Sequence, residues 1–261
     1  MTVESNERRV SLFGIRLDPL GMDEAVAELL AWVAAAERPC RYVVTPNVDH
    51  VVMYQHDAAL RAAYADAGLV LADGMPVVLA ARWLGRKLPE RVAGSDLVPE
   101  LFTAAGSNAP LKVFLLGAMP GVAVRAAIKV SLNWPHVNVV GTYSPPLGFQ
   151  HDAAENESIL ARIDAARPDV LIVGLGAPKQ ELWVHAHRER INASAALCVG
   201  ATIDFLAGEK SRAPRWLQRS GLEWLHRCAT EPRRLLARYV RDACIFPQLL
   251  YREWRAVGRG R

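Results

Sequence analysis

The stretch of this chain best suited to chemistry is Asp73-Gly74, which follows the apolar run Val70-Leu71-Ala72. The run is too short for a helix and is typical of a buried strand. Ligands of open parallel sheets bind outside the carboxyl ends of the strands, so an acid here lies at the rim of a crevice. Asp73 is therefore a candidate general base. The alternative is a turn aspartate that hydrogen-bonds its own backbone.

Three other segments place polar groups at or just after the carboxyl ends of predicted strands. They are Thr45-Pro46-Asn47, Gly174 to Glu181, and Gly200 to Asp204. In a parallel sheet all four strand ends lie on one edge, so their polar groups meet at the same crevice. One turn aspartate is ordinary, whereas four polar strand ends on one rim predict a binding site that includes Asp73.

Two loops with glycines resemble loops that cradle phosphate groups, namely Gly117 to Gly121 and Gly174 to Gly176. Neither completes the Walker pattern or the GxGxxG fingerprint. A tight strand-to-helix turn explains the glycines as well, although a helix N-terminus after each loop would favour an anion.

Residues near the last two strands have two interpretations each. Asp204 can accept hydrogen bonds from ribose or sugar hydroxyls, or it can cap a helix or pair with Lys210 or Arg212. Gln180 is placed to reach a ligand, whereas Glu181 can simply complement the helix dipole.

The sequence disfavours a metal site. No DxD or ExD pattern occurs around the strand-end loops, and His185 and His187 diverge at a spacing of two on a predicted helix. The cysteines are scattered without a CxxC pair, which indicates free thiols. No nucleophile-elbow motif surrounds a serine or cysteine. Asp73 therefore has the best setting for acid–base chemistry, and we expect no cofactor.

Short apolar runs alternate with helical patterns along most of the chain. Predicted strands cover residues 10–15, 41–47, 69–72, 111–117, 137–140, 170–173 and 195–199. Predicted helices cover residues 23–36, 48–67, 75–84, about 94–105, 120–132, 156–166 and about 182–191. Within 48–67, residues 57–65 either continue the helix or restart it. This alternation predicts an α/β fold with a mostly parallel sheet and helices on both faces.

The last fifth of the 261-residue chain differs from the rest in charge. Residues 205–261 contain 13 Lys and Arg against 5 Asp and Glu, a net charge of +8, whereas residues 1–204 have a net charge of −4. We therefore predict a catalytic core over residues 1–206 and a basic helical appendage over residues 207–261. Such a tail suggests a polyanionic partner.

The tail interleaves arginines with Trp and Tyr, which fits basic amphipathic helices at a membrane interface. The alternative is a solvated charged face over an ordinary core helix. Nucleic acid is disfavoured because no recognised binding module is present. The polar N-terminus and the lack of a span of about 20 apolar residues predict a cytosolic protein.

The sequence resembles the WecG/TagA/CpsF glycosyltransferases, the bacterial enzymes of glycosyltransferase family 26, from Phe13 to about Tyr239. The motifs that carry the resemblance are Thr45-Pro-Asn47, Leu71-Ala-Asp-Gly74, Pro89-Glu-Arg-Val-Ala-Gly-Ser-Asp96, Phe114-Leu-Leu-Gly-Ala-Met-Pro-Gly121, Val173-Gly-Leu-Gly-Ala-Pro-Lys-Gln-Glu181, Val199-Gly-Ala-Thr-Ile-Asp-Phe205, Lys210-Ser-Arg-Ala-Pro214 and Gly221-Leu-Glu-Trp-Leu-His-Arg-Cys-Ala-Thr-Glu-Pro-Arg-Arg234. Together these motifs are specific, although none is specific alone.

The resemblance implies an inverting, metal-independent transfer of a sugar from a UDP-sugar to a polyprenyl-diphosphate-linked acceptor in cell-surface polysaccharide synthesis. It also implies a Rossmann-like core of the GT-E type. The C-terminal appendage would dock on the cytoplasmic face of the cell membrane and complete the active site.

Carried over by position, the resemblance implies that Asp73 is the base and that Thr45 and Asn47 line the acceptor or sugar pocket. It places Gln180 and Asp204 at the nucleotide-sugar. The full set of expected substrate contacts is Gly117, Gly176, Pro178, Lys179, Gln180, Glu181, Asp204, Arg227 and Arg234, of which the two arginines would face the diphosphate.

Two other functions stay open at this point. A Rossmann-type NAD-dependent oxidoreductase would need the complete glycine fingerprint that the chain lacks. A non-enzymatic membrane adaptor would use the basic tail alone. The transferred sugar is open, and so is a homo-oligomeric state.

Overall fold

The computed structural model describes residues 9–36, 39–106, 110–214, 217 and 223–259, with the backbone alone for residues 227, 232–234 and 257–259. Its strands are β1 Val10–Leu12, β2 Ile15–Leu17, β3 Arg41–Val44, β4 Leu69–Val70, β5 Leu111–Gly117, β6 Val137–Tyr143, β7 Val170–Gly174 and β8 Ala195–Cys198.

The helices cover both the core and the tail. They are α1 Met22–Ala35, α2 Val48–Tyr54, α3 Ala58–Ala65, α4 Met75–Trp83, α5 Gly94–Ala104, α6 Val122–Asn133, α7 Ala153–Ala166, α8 Lys179–His187, α9 Thr202–Ala207, α10 Glu223–Thr230 and α11 Pro232–Arg259. A short 3-10 helix occupies Phe149–His151.

Six of the strands form one sheet in the order β4-β3-β8-β7-β5-β6. Each pairing within it is parallel. The predicted α/β fold with a mostly parallel sheet is therefore confirmed. The carboxyl ends of β4, β3, β8 and β7 lie side by side, which is the part of the sheet that the sequence marks as polar.

The sheet separates two apolar cores. On β5, Phe114 and Leu116 face the core that contains residues of α2, α3, α4, α7 and α8. Val113 and Leu115 face the opposite core, which contains residues of α1, α5, α6 and α9. This alternation follows from the two-residue period of a strand. Helices therefore cover both faces, as predicted.

The prediction of one strand over residues 10–15 is wrong. Val10 pairs with Leu17 in an antiparallel hairpin, β1–β2. Phe13 and Gly14 at its turn have φ values of 54° and 79°. Two consecutive positive φ angles make the tight reversal that suits the twist of a two-residue hairpin.

Of the two alternatives for residues 48–67, the restart is confirmed, because they form two helices, α2 and α3. The Asp57 carboxylate accepts a hydrogen bond from the Leu60 N–H at 2.9 Å and caps a new helix there. Asp152 likewise caps α7, which begins three residues before the predicted start at Asn156. Helix capping by aspartate therefore explains both the restart of the helix and the earlier start of α7.

Several boundaries at the sheet edge also differ from the prediction. β3 ends at Val44 and β4 at Val70, whereas β6 continues to Tyr143. The segment predicted as a loop through Glu181 ends at Pro178, because α8 begins at Lys179. Residues 179–181 therefore lie in the first turn of a helix.

The tail packs against the core through α11. Leu235 and Leu249 are buried, and the Phe13 and Phe246 rings lie 5.2 Å apart. Arg86 on the core side pairs with Glu253 at 2.7 Å. Within the described residues, no helix is both long enough and apolar enough to cross a membrane.

Candidate active site

The strand-end segments that the sequence singles out meet at one edge of the sheet. The Asp73 N–H donates to the Pro46 carbonyl at 3.0 Å, which ties the end of β4 to the end of β3. The Gly200 N–H donates to Gln180 Oε1 at 3.1 Å, which ties the loop after β8 to the start of α8. The predicted co-location of these segments is therefore confirmed.

Asp73 lies at the rim of this edge with its side chain 28% exposed. Gly74, the next residue, passes close to the neighbouring segment: a Cβ at this position would lie 3.3 Å from Asn47 Cα. The small residue therefore lets the two strand ends approach each other. A partly exposed carboxylate beside a second polar segment can accept a proton from a bound hydroxyl.

Arg91 is a site residue to which the sequence reasoning gave no role. Its Nη1 lies 3.9 Å from Asp73 Oδ1, while Nη1 and Nη2 donate to Glu223 and Asp96, each at 3.0 Å. Arg91 thus pairs with three acids, of which Asp73 is the most distant. Its motif, Pro89 to Asp96, was among the segments that carry the resemblance, and this was the available signal.

The same acids bind a second arginine. Arg212 Nη2 lies 2.8 Å from Asp96 Oδ1, and Arg212 Nη1 donates to the Ser95 carbonyl at 3.1 Å. Glu223 begins α10 in the tail, so this charge cluster joins the appendage to the core beside Asp73. Alternating charges compensate one another at a site that is partly screened from water.

Thr45 and Asn47 follow β3 but have different surroundings. The Thr45 hydroxyl is buried and donates to the Cys198 carbonyl at 3.4 Å, so it faces the protein. Asn47 caps α2, and its Oδ1 accepts from the Asp49 N–H at 3.0 Å. Asn47 is the more accessible of the two.

Gln180 and Glu181 are buried at the start of α8. Glu181 is 0% exposed, so it lies behind the surface that a substrate can touch. Its Oε1 accepts from Gln180 Nε2 at 2.8 Å and lies 3.4 Å from His50 Nε2. Gln180 in turn supports the Gly200 loop. These two residues therefore stabilise the floor of the site.

The pKa of His50 is raised above its usual value. Burial favours the neutral ring, but the hydrogen bond to Glu181 and the charge of Glu181 outweigh it, and Asp49 and Asp73 add smaller effects. The surroundings of the buried His50 ring therefore favour its protonated form.

Of the two glycine loops, the first needs glycine at position 117 for packing. A Cβ on Gly117 would lie 2.5 Å from the Gly174 carbonyl, so the close approach of β5 and β7 requires glycine there. Gly176 has a φ of 78° just before α8 and accepts from the Gln180 N–H at 3.1 Å. Pro178 and Lys179 form the start of that helix. Phosphate binding by these residues stays a prediction.

The Asp204 carboxylate lies 3.9 Å from Lys210 Nζ. This ion pair is one of the structural alternatives to a sugar contact that the sequence offered for Asp204. Lys210 and Arg238 line a cavity of about 290 Å³ between α9 and the tail, together with Phe205, Ser211 and Leu235. Glu209 and Glu231 also line this cavity, and Lys210 Nζ lies 3.2 Å from Glu231, so the recess next to the end of β8 carries charges of both signs.

The tail arginines are only partly described. Arg227 and Arg234 were expected at the diphosphate, but their side chains lie outside the described part of the chain. Arg238 and Arg241, which were not predicted, both pair with the buried Asp49, Arg238 at 3.2 Å. α11 is therefore anchored beside the site by two ion pairs to α2.

Among the described residues, no group of three or more His, Cys, Asp or Glu side chains is placed to hold a metal ion. The ionisable groups at the sheet edge are instead paired with one another. What the arrangement offers is a partly exposed carboxylate, a buried histidine paired with a glutamate, and several arginines around a crevice.

Comparison with known proteins gives one family and a set of relatives. The model of the Glycosyl transferase WecG/TagA/CpsF family matches residues 10–259. Two relatives are the N-acetylglucosaminyldiphosphoundecaprenol N-acetyl-beta-D-mannosaminyltransferases of Staphylococcus aureus strains MRSA252 and NCTC 8325. Each is 29% identical over 237 residues, which cover 90% of this chain and 91% of the relative.

Proposed function

Because the chain belongs to the Glycosyl transferase WecG/TagA/CpsF family, we propose that it transfers a sugar from a UDP-sugar to a polyprenyl-diphosphate-linked glycan. The transfer inverts the anomeric centre, needs no metal ion and serves cell-surface polysaccharide synthesis. One observation carries the proposal: Asp73, a partly exposed carboxylate, stands at the edge where four polar strand ends meet.

The relatives suggest the first substrates to try. Their names describe the transfer of N-acetylmannosamine to N-acetylglucosaminyldiphosphoundecaprenol. We therefore propose UDP-N-acetylmannosamine as donor and a prenyl diphosphate carrying N-acetylglucosamine as acceptor.

We propose a single displacement with Asp73 as the general base. Asp73 takes the proton of the acceptor hydroxyl as the hydroxyl oxygen forms a bond to the anomeric carbon. The bond from that carbon to the UDP oxygen breaks, and UDP leaves with the electron pair. Arg91 belongs to the surroundings of this carboxylate: its Nη1 lies 3.9 Å from Asp73 Oδ1, and it also pairs with Asp96 and Glu223.

Basic side chains of the tail would neutralise the phosphate groups. Lys210 and Arg238 line the recess between α9 and the tail together with Glu209 and Glu231, and Arg227 and Arg234 are expected to supply further positive charge at the diphosphate. Cations placed where negative charge develops stabilise the transition state, which is the role proposed for them at the departing UDP.

An apolar stripe on α11 supports docking on the cytoplasmic face of the membrane. Exposed residues follow one another at intervals of three or four along this helix, as expected for one helix face. The stripe consists of Leu236, Val240, Ala243, Pro247, Tyr251 and Trp254. Trp83 on α4 stacks on Trp254 at 6.1 Å and extends the surface, with Arg252 and Arg255 nearby.

Such a surface has the composition of a helix that lies in the membrane interface: aromatic and aliphatic residues inserted, arginines toward anionic lipid headgroups. It would bring the crevice to a lipid-linked acceptor. Membership in a family of glycosyl transferases favours this function over an oxidoreductase or a membrane adaptor.

The proposal is tested by a transfer assay in EDTA. The enzyme is mixed with UDP-N-acetylmannosamine and a short-chain prenyl diphosphate carrying N-acetylglucosamine, and UDP release is followed together with the lipid product. We expect acceptor-dependent UDP release that EDTA leaves unchanged. Inactivity with a panel of UDP-sugars would contradict the donor class, and activity restored only by a divalent cation would contradict metal independence.

A further inference from the structure

We propose that His50 is a positioning residue that, held by the buried Glu181, fixes the Asn47 carboxamide so that its NH2 group is available to the substrate. The inference rests on the proposed transfer reaction. It concerns a chain of three side chains, from Glu181 on α8 through His50 on α2 to Asn47 at the end of β3.

The orientation of the Asn47 amide follows from its backbone partners. The N–H groups of Asp49 and His50 both point at the same side-chain atom, at 3.0 Å and 3.4 Å. Two N–H donors require an acceptor, so this atom is the oxygen, Oδ1. The NH2 group therefore lies on the other side of the carboxamide. It has no hydrogen-bond partner within the described part of the chain, so it can meet a ligand.

The proton on His50 Nδ1 follows from that assignment. Nδ1 lies 2.9 Å from Asn47 Oδ1, and an oxygen that only accepts needs a donor opposite it. The Asn47 N–H also lies 3.4 Å from Nδ1, but this longer contact cannot coexist with a proton there. The shorter contact decides that Nδ1 donates.

The other ring nitrogen faces a carboxylate. His50 Nε2 lies 3.4 Å from Glu181 Oε1, and Glu181 is completely buried. With a proton on each nitrogen, His50 is an imidazolium that links a buried anion to the amide of Asn47. Glu181 Oε2 has no hydrogen-bond partner within the described residues, so the Oε1 contacts are what compensate this charge.

Loss of the His50 proton would disturb Asn47. A neutral ring keeps its proton on Nε2, toward Glu181, and leaves a lone pair on Nδ1 against the Asn47 oxygen. The amide cannot turn over in response without losing its capping bonds to α2. The imidazolium is therefore the form that holds Asn47 in place.

Two variants separate this role from a structural one. His50→Asn keeps a donor near the position of Nδ1, toward Asn47, whereas His50→Gln keeps one near Nε2, toward Glu181. We expect the kcat of His50→Asn to exceed that of His50→Gln by about tenfold, the effect of one misplaced hydrogen bond. The melting temperatures should follow the opposite order, because Glu181 keeps its partner only in His50→Gln.

A residue that merely stabilises the fold would give the same order in both measurements. That result, or equal kcat values, would overturn the inference. In an Asn47→Ala background the difference in kcat between the two variants should disappear, since the amide they act on is absent. A tenfold difference in kcat that persists in the Asn47→Ala background would also overturn the inference.

A third variant, Glu181→Gln, tests whether the positive charge of His50 is required for turnover. Because the protonated form of His50 is the active one, kcat is present below the pKa of His50 and is lost as the pH rises through it. Removing the Glu181 carboxylate lowers the pKa of His50, so kcat should begin to fall at a lower pH than in the wild type. The other groups around His50 are Asp49, Asp73, Tyr64, and Arg238 and Arg241, which pair with Asp49.

If kcat of Glu181→Gln fell over the same pH range as that of the wild type, the role assigned to protonated His50 would be contradicted. All three variants are read against wild-type transfer. A wild-type enzyme that transfers no sugar refutes the proposed function, whereas an active enzyme with the wrong order of variants refutes only the role of His50.

Discussion

Replacement of Asp73 by asparagine is expected to lower kcat by about 10²–10⁴-fold, the usual contribution of a general base. The amide has nearly the size of the carboxylate but cannot take the acceptor proton. The affinity for UDP should change little, because the proposed phosphate contacts are made by other residues. Steady-state transfer assays and calorimetric titration with UDP measure the two quantities.

A matched control for this variant is Asp66→Asn. Asp66 is a surface aspartate that pairs with His185 and Arg188, away from the strand-end crevice. Exposed ion pairs contribute little to stability, so this change should leave kcat within about twofold of the wild type. Wild-type turnover in Asp73→Asn, or equal losses in both variants, would contradict the assignment of the base.

Introducing two aspartates into the apolar stripe, by Val240→Asp and Tyr251→Asp, is expected to weaken vesicle binding by at least about 100-fold. Each native side chain is about half exposed and available for insertion. Full burial of such a side chain contributes about 1.5–3 kcal/mol, and a tenfold change in binding corresponds to about 1.4 kcal/mol. Sedimentation with vesicles that contain phosphatidylglycerol measures the loss.

The control for the stripe is Val124→Asp with Ile128→Asp. These α6 residues are as exposed as Val240 and Tyr251, but their helix packs against the other face of the sheet. The control adds the same two charges and should bind vesicles like the wild type. Equal losses in both variants would show that net charge alone governs binding, and unchanged binding of the stripe variant would refute docking through α11.

Local patterns in the sequence were sufficient to predict the sheet and the position of Asp73. The alternation of short apolar runs with helical segments predicts a parallel sheet, and Leu71-Ala72-Asp73-Gly74 marks the end of one strand. In a parallel sheet all strand ends fall on one edge, so the crevice follows from the topology. The structure confirms this part.

Contacts between distant residues could not be predicted in the same way. Arg91 bonds to Glu223, 132 residues further along the chain, and no spacing rule relates the two. His50 gave no metal-ligand pattern, and its significance depends on a partner, Glu181, that the sequence suggested as a substrate contact. The hydrophobic pattern gives the face of a helix, but tertiary packing decides which polar groups meet.

The hairpin β1–β2 was not predicted for a different reason. Phe13-Gly14 carries no Asn-Gly or Asp-Gly signal, which is the strongest local indication of a two-residue hairpin. The run from Val10 to Ile15 therefore looks continuous. Positive φ at Phe13 is a property of the folded chain and not of the residue type.

The most direct test of the proposed mechanism is the anomeric configuration of the product. Donor sugar, α-linked to UDP, is transferred to the prenyl-diphosphate acceptor in EDTA, and the new linkage is assigned by NMR. A single displacement with Asp73 as base predicts a β-linked disaccharide lipid and one UDP released per linkage. An α-linked product, which requires two displacements or a different course of attack, would contradict it.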